Sequence, residues 1–177
     1  MKVIEQIAAA IPGLLQQEEI EALYRLALQA PPGPIIDLGT YYGLTAALFC
    51  AAVGPERVVS IDNYAYHRPG CPAPTLEGAR ANLAGLGYRP WLIEGQSRVV
   101  PQGITRVAML FVDTEHTAMM LGSELAAWLP LLAPRGIVAL HDYANDNCPG
   151  LKACADRRFE GWPQLGTWGT LGAWEVA

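Results

Sequence analysis

Short apolar runs alternate with amphipathic segments along nearly the whole chain. The apolar runs predict five strands, at residues 34–38, 57–62, 91–95, 107–113 and 137–142. Apolar residues at helical spacing, bounded by glycine or proline, predict helices at residues 18–29, 43–52, 75–87, 123–132 and 151–159. Residues 107–113 are apolar on both faces, which is typical of a central parallel strand. This alternation predicts an α/β fold with a parallel sheet.

The last part of the chain has a different pattern. Residues 162–177 read as two short strands around glycine-rich turns, which predicts a hairpin and an antiparallel C-terminal strand. The expected fold is a doubly wound, Rossmann-like, mostly parallel sheet of seven strands in a single domain over residues 1–177. Residues 1–30 form an N-terminal helical segment in this prediction.

Composition narrows the classes of partner. With 51% hydrophobic and 16% charged residues, the chain is expected to be globular. A net charge of −5, with no run of basic residues, disfavours nucleic acid and anionic membranes as partners. The longest apolar run, residues 44–53, is too short to span a bilayer. A small-molecule partner is therefore expected.

The N-terminus and the cysteines bear on location. Glu5 and the Pro12-Gly13 break interrupt what a signal peptide would keep apolar, so a cytoplasmic protein is expected. The four cysteines lack CxxC spacing and are expected to be free thiols. A zinc site from Cys148, Cys154 and His141 is a less favoured alternative, because the spacing fits no zinc pattern.

Carboxylates close four of the predicted parallel strands. Because ligands of open α/β sheets bind outside the carboxyl ends of the strands, these residues should line one site. The alternative is that each aspartate only caps a helix or begins a loop, which explains one of them better than all four. The four residues are Asp37, Asp62, Asp113 and Asp142.

Two glycines follow the first of these carboxylates. Gly39 should let the chain turn out of the strand, and Gly43 should let a helix begin close to the sheet. The resulting pattern over residues 37–43 is D-x-G-x-x-x-G, whereas a dinucleotide fingerprint reads G-x-G-x-x-G. This spacing disfavours a pyrophosphate cradle.

Three stretches together resemble a known family. "DLGTYYGLT" and "VVSIDNY" resemble the first two motifs of class I S-adenosylmethionine-dependent methyltransferases. "LFVDTEHT" with "LAAWLPLLAPRGIVALHDY" resembles their small O-methyltransferase branch, the methyltransferase 24-like proteins related to antibiotic and sugar O-methyltransferases. The resemblance extends from about residue 18 to the C-terminus.

The resemblance implies a cofactor site for S-adenosylmethionine. Asp62 would accept hydrogen bonds from both ribose hydroxyls, and Gln96 would replace the usual acidic residue at the adenine. The first motif would approach the amino-acid part of the cofactor. The full set of cofactor-binding residues expected from the resemblance is Asp37, Gly39, Thr40, Tyr41, Gly43, Asp62, Gln96 and Ser97.

The resemblance also implies methyl transfer to a hydroxyl oxygen of a small molecule. Asp113 and Asp142 match the positions where relatives hold a divalent metal such as magnesium. His116 matches a histidine of the relatives and is the alternative, as a general base. Asp113 and His116 are therefore the expected catalytic residues. Two carboxylates sharing a site require a metal, a proton or a charged His116 to offset them.

Two rival functions share this architecture. The first is a catalytically inactive binding or regulatory module, because only residues 63–75 could form a substrate lid. The second is a nicotinamide-dependent oxidoreductase, which the glycine spacing disfavours. The apolar tail with Trp162, Trp168 and Trp174 could cover a homodimer edge, although core packing is the favoured role.

Overall fold

The predicted sheet is confirmed by a computed structural model, which describes residues 2–66 and 68–176. Within those residues the helices are α1 Lys2–Ala10, α2 Gln17–Gln29, α3 Leu44–Val53, α4 Leu76–Gly85, α5 Ala118–Trp128 and α6 Pro149–Arg158. The strands are β1 Ile35–Leu38, β2 Val58–Asp62, β3 Trp91–Glu94, β4 Val107–Val112, β5 Leu132–Leu140, β6 Gln164–Trp168 and β7 Leu171–Glu175.

The strand order is β3-β2-β1-β4-β5-β7-β6. The first five strands in that order are parallel, and β7 and β6 are antiparallel to their neighbours, as the hairpin prediction required. The chain builds outward from β1 to β3 and then returns to place β4 on the other side of β1. This reversal puts a crevice outside the carboxyl ends of β1 and β4, where ligands of such folds bind.

The sheet has a hydrophobic layer on each face. On one face α1, α2 and α3 cover residues such as Phe111, whose ring meets that of Phe49 edge-on at 5.9 Å. On the other face α5 and α6 cover a second set, in which Phe159 stacks on Trp174 at 4.8 Å. Neighbouring residues of β4 and β5 alternate between the two layers, so these strands are buried on both sides.

The starts of two elements differ most from prediction. Helix α5 begins at Ala118, five residues before the predicted residue 123, because the Thr117 hydroxyl caps it by accepting from the amide of Met120 at 3.2 Å. Strand β5 begins at Leu132 and contains the segment predicted as a turn, residues 133–136. A bulge absorbs that segment, with Arg135 at a φ of 61°, so the strand continues beyond it.

No helix in the described parts of the chain combines the length and the apolar character needed to cross a bilayer.

Candidate active site

A cavity of about 830 Å³ opens at the carboxyl ends of the parallel strands. It brings together most of the predicted site residues: Gly39, Thr40, Tyr41, Asp62, Ser97, Asp113, His116 and Asp142. Three other predicted residues lie outside its lining: Asp37, Gly43 and Gln96.

The Asp62 carboxylate is held by the loops on either side of it. One oxygen accepts the amide of Tyr41 at 2.7 Å, and the other accepts the amide of Tyr64, also at 2.7 Å. Both tyrosines have positive φ, 50° and 53°, a conformation that costs energy outside glycine and is common at binding sites. Asp62 thus fixes two loops, and each of its oxygens keeps a lone pair for a ligand.

Asp37 lies beneath the cavity and does not reach it. Its side chain is fully buried, and Oδ2 accepts the hydroxyls of Ser60 at 2.6 Å and Thr45 at 3.1 Å. Burial raises the pKa of this carboxyl to about 7, although the two hydroxyl hydrogen bonds oppose the rise. Asp37, which was predicted to contact the cofactor, therefore supports the loop after β1 from beneath the cavity.

The glycines of the first motif are explained by protein packing. Gly39 has a φ of 104°, and a Cβ there would lie 1.9 Å from the backbone oxygen of Asp113. Gly43 has a φ of 96° and immediately precedes α3. A Cβ added at Gly43 would lie 3.3 Å from the Leu83 side chain of α4. Gly39 is thus required for β1 to pass the end of β4, which brings Asp113 next to the first motif.

The loop after β3 reaches the cavity through Ser97. Gln96 is exposed, and its side-chain oxygen accepts from Arg98 Nε at 3.0 Å. Ser97 instead donates to the buried Glu124, which also accepts the Thr114 hydroxyl at 2.7 Å. Burial raises the pKa of Glu124, and the two hydrogen bonds oppose that rise. Glu124 therefore ties the β3 and β4 loops together, a role that its sequence context on α5 does not reveal.

Asp113 and Asp142 converge on His116, as expected for residues that close adjacent strands. Nδ1 of His116 lies 2.7 Å from Asp142 Oδ2, and its Nε2 lies 3.4 Å from Asp113 Oδ1. Asp142 has a φ of 57°, and its other oxygen accepts from Asn145 Nδ2 at 2.8 Å. His116 therefore lies between the two carboxylates, where a positive charge on its ring can offset their negative charges.

His141 is a site residue that the sequence analysis did not place here. Its Nδ1 lies 3.1 Å from Asp113 Oδ1 and 3.5 Å from Asp142 Oδ2. On the other side of the ring, Nε2 lies 3.4 Å from Oε2 of Glu19. In the sequence, the signal for this role is that His141 stands directly before Asp142, at the end of a buried strand.

Glu19 comes from α2 and is completely buried. Its Oε1 accepts both the amide and the hydroxyl of Thr170 at 2.8 Å, and its Oε2 accepts the amide of Gln16 at 2.7 Å. Burial favours the neutral acid, but the hydrogen bonds, first that with His141, hold the pKa of Glu19 below its ordinary value. A glutamate in helical register with the apolar Leu23 was the indication in the sequence.

The protonation states follow from these contacts. Hydrogen bonds to Asp113 and Asp142 raise the pKa of His116 to about 10. Burial would lower the pKa of His141, but Asp113, Asp142 and Glu19 together raise it to about 12. The histidines in turn hold the pKa of Asp142 below its ordinary value, and that of Asp113 as well despite burial. Without another cation, both histidines are positively charged and balance the carboxylates at neutral pH.

The sheet order, the antiparallel hairpin and the acid-lined crevice together define a methyltransferase-type Rossmann-like fold. A family model described as "Methyltransferase domain" matches residues 36–143, more than half of the chain. The protein belongs to this family, which confirms the resemblance found in the sequence.

Solved structures share the fold at low sequence identity. The O-methyltransferase NovP matches with a TM-score of 0.75 and 15% identity, over 90% of this chain and 80% of that chain. CalS11, a TDP-rhamnose 3'-O-methyltransferase of calicheamicin biosynthesis, matches at 0.66 and 20%, over 99% and 94%. The O-methyltransferase TomG from Streptomyces achromogenes, solved with SAM, matches at 0.65 and 17%, over 100% and 90%. No curated protein sequence matches the chain.

Proposed function

We propose that this methyltransferase uses S-adenosylmethionine to methylate a hydroxyl oxygen of a small molecule. The observation that carries the proposal is the single cavity whose lining includes the first-motif loop and Asp62 together with Asp113 and His116. The similarity to NovP, CalS11 and TomG supports the oxygen acceptor and the cofactor.

The cofactor is proposed to lie along the ends of β1, β2 and β3. Asp62 accepts the ribose hydroxyls with the lone pairs that its loop amides leave free. Gly39, Thr40 and Tyr41 face the amino-acid part in this proposal, and Ser97, which lines the cavity, faces the adenine in place of the exposed Gln96. Asp37 and Gly43 act indirectly in this proposal, because they shape the loop and the helix start that Gly39 and Thr40 depend on.

The acceptor is proposed to occupy the part of the cavity beside Asp113 and His116. A volume of about 830 Å³ is at the upper part of the range for small-molecule sites, so it can hold a cofactor together with a small acceptor. Leu14, Leu15 and Met120 give the cavity apolar walls, and Tyr66 brings in the segment proposed as a lid. These walls suit an acceptor with an apolar body and one reacting hydroxyl.

An all-oxygen magnesium site does not fit the residues present. Asp113 and Asp142 occupy the positions expected for metal ligands, but the imidazoles of His116 and His141 lie between them at 2.7 to 3.5 Å. Magnesium demands near-octahedral oxygen ligands and keeps several waters. We therefore derive no step through magnesium.

The protein's own groups suffice for positioning and proton removal. Transfer from a sulfonium needs the hydroxyl oxygen in line with the methyl group, and the cavity walls supply that orientation. When no metal is bound, neutral His116, next to Asp113, would accept the hydroxyl proton. Because its pKa is about 10 without another cation, this route predicts activity that rises toward alkaline pH.

A turnover assay against a library of small-molecule alcohols and phenols tests the proposal. We expect formation of the demethylated cofactor with at least one library member, and loss of most turnover in His116→Asn. Gln96→Ala is the matched control, because Gln96 is exposed and outside the cavity lining, and it should retain turnover. Cofactor binding without methylation of any acceptor would favour the inactive binding module, and stabilisation by NAD in place of S-adenosylmethionine would favour the oxidoreductase.

A further inference from the structure

We infer that Asp113, His116 and His141 form a three-ligand site for a divalent transition metal with mixed nitrogen and oxygen ligands. Asp142 orients His116 in this site through the other ring nitrogen. Glu19 is the residue that orients His141 in this site. The inference deepens the proposed function and rests on it for the position beside the acceptor hydroxyl. Metal binding itself requires neither cofactor nor acceptor.

The ligand atoms already have the separations that a metal requires. Atoms offered by Asp113, His116 and His141 all lie within 4.8 Å of one another. Around a tetrahedral ion with bonds of 2.0–2.2 Å, neighbouring ligand atoms are about 3.3 Å apart. The distances from Asp113 Oδ1 to His141 Nδ1 and to His116 Nε2, 3.1 and 3.4 Å, are close to that value. The 2.7 Å contact between Asp142 Oδ2 and His116 Nδ1 involves the other ring nitrogen and can remain, so that it orients the His116 ring.

His141 supplies an independent indication. Its Nδ1 is buried and lies 3.1 Å from Asp113 Oδ1, yet among the described residues it has no hydrogen-bond partner. An unsatisfied buried nitrogen is costly unless it has a partner such as an ion. A metal between Asp113 and His116 would provide that partner.

The other nitrogen of His141 is held as it is in many metal sites. Nε2 lies 3.4 Å from Glu19 Oε2, and Glu19 is itself fixed by Thr170 and Gln16. Histidine ligands usually donate their second ring N–H to such a carboxylate, which sets the tautomer and the ring orientation. This arrangement leaves Nδ1 as the ligand nitrogen and connects α2 to the site.

The ligand types select the kind of metal. Imidazole favours zinc, iron, nickel and related ions, whereas magnesium prefers oxygen ligands. A second group, formed by His116, Asp142 and Cys148, shares only His116 with this site, so a Cys148 variant distinguishes the two groups. The three proposed ligands all line the cavity, so an ion can reach them from solvent.

Calorimetric titration of the chelator-treated 177-residue chain tests the inference. We expect one equivalent of Zn²⁺ to bind at least about tenfold more tightly than Mg²⁺, following the ligand preferences. Co²⁺ should give the absorption bands of a nitrogen- and oxygen-ligated ion. His141→Ala should abolish this site, and Glu19→Gln should weaken Zn²⁺ affinity by roughly 10- to 100-fold. Glu18→Gln is the matched control: Glu18 precedes Glu19 on α2 but is exposed, and this variant should leave affinity unchanged.

Several results would overturn the inference. These are absence of Zn²⁺ binding, equal affinity for Mg²⁺, or a site that survives His141→Ala and is lost in Cys148→Ser. Circular dichroism of each variant separates lost binding from lost folding. Titration of the metal-free protein with S-adenosylmethionine keeps the two proposals apart. Cofactor binding without Zn²⁺ binding defeats the metal site alone, whereas Zn²⁺ binding without cofactor binding defeats the proposed function alone.

Discussion

Replacing Gly39 with alanine should destabilise the fold more than an ordinary glycine substitution. A Cβ at this position would lie 1.9 Å from the Asp113 oxygen and 2.9 Å from its carbonyl carbon, at a φ of 104°. Neither backbone can move freely, because Gly39 donates to Ile61 at 2.9 Å and Asp113 donates to Leu38 at 2.8 Å. Strained φ costs about 1–3 kcal/mol and overpacking about 1–3 kcal/mol, so the expected loss is about 2–6 kcal/mol.

Denaturant unfolding of Gly39→Ala beside Gly103→Ala isolates the packing contribution. Gly103 has a similar φ of 95°, but nothing among the described residues lies within 4 Å of an added Cβ. Gly103→Ala should therefore lose only the conformational part, about 1–3 kcal/mol. Gly39→Ala should also weaken metal binding, since Asp113 must shift. Equal losses of stability in the two variants would refute the reasoning.

Two further predictions concern the hairpin and the acid–histidine cluster. Deleting residues 161–177 removes β7 from the edge of β5 and should cause aggregation through the exposed strand; a soluble, cofactor-binding truncation would show that the hairpin is dispensable. In chelator-treated protein, the raised pKa of His116 means that its stabilising contribution is complete below pH 6.5 and is lost as the pH rises to about 10. Denaturant unfolding should thus show a gap between wild type and His116→Asn that narrows over this range, and a constant gap would disagree with the assigned ion pairs.

The sheet was predictable because each parallel strand is a short apolar run that ends at a turn or a carboxylate. The order of elements also placed Asp113 and Asp142 on adjacent strands. The bulge in β5 could not be read in advance, because the segment over residues 133–136 has the composition of a turn and only pairing with β4 keeps it in the strand. The start of α5 depended on the capping hydroxyl of Thr117.

The site was less predictable than the fold, because its missing members depend on long-range packing. Glu19 reaches His141 only after α2 packs near the β6–β7 turn, where Thr170 also contacts it. Gly39 was recognised from a motif, but the atom it must avoid, the Asp113 oxygen, belongs to a strand far along the chain. The homodimer and the cytoplasmic location stay predictions.

Calorimetry of S-adenosylmethionine binding to wild type and Asp62→Ala tests the central claim most directly. Wild type should bind one equivalent of the cofactor. The variant should bind it roughly 10- to 150-fold more weakly, which corresponds to the loss of a charge-assisted hydrogen-bonding pair, about 1.5–3 kcal/mol. Because Asp62 also holds the amides of Tyr41 and Tyr64, unfolding of the variant must be measured alongside. Unchanged affinity in a folded Asp62→Ala protein, or no binding by wild type, would contradict the account.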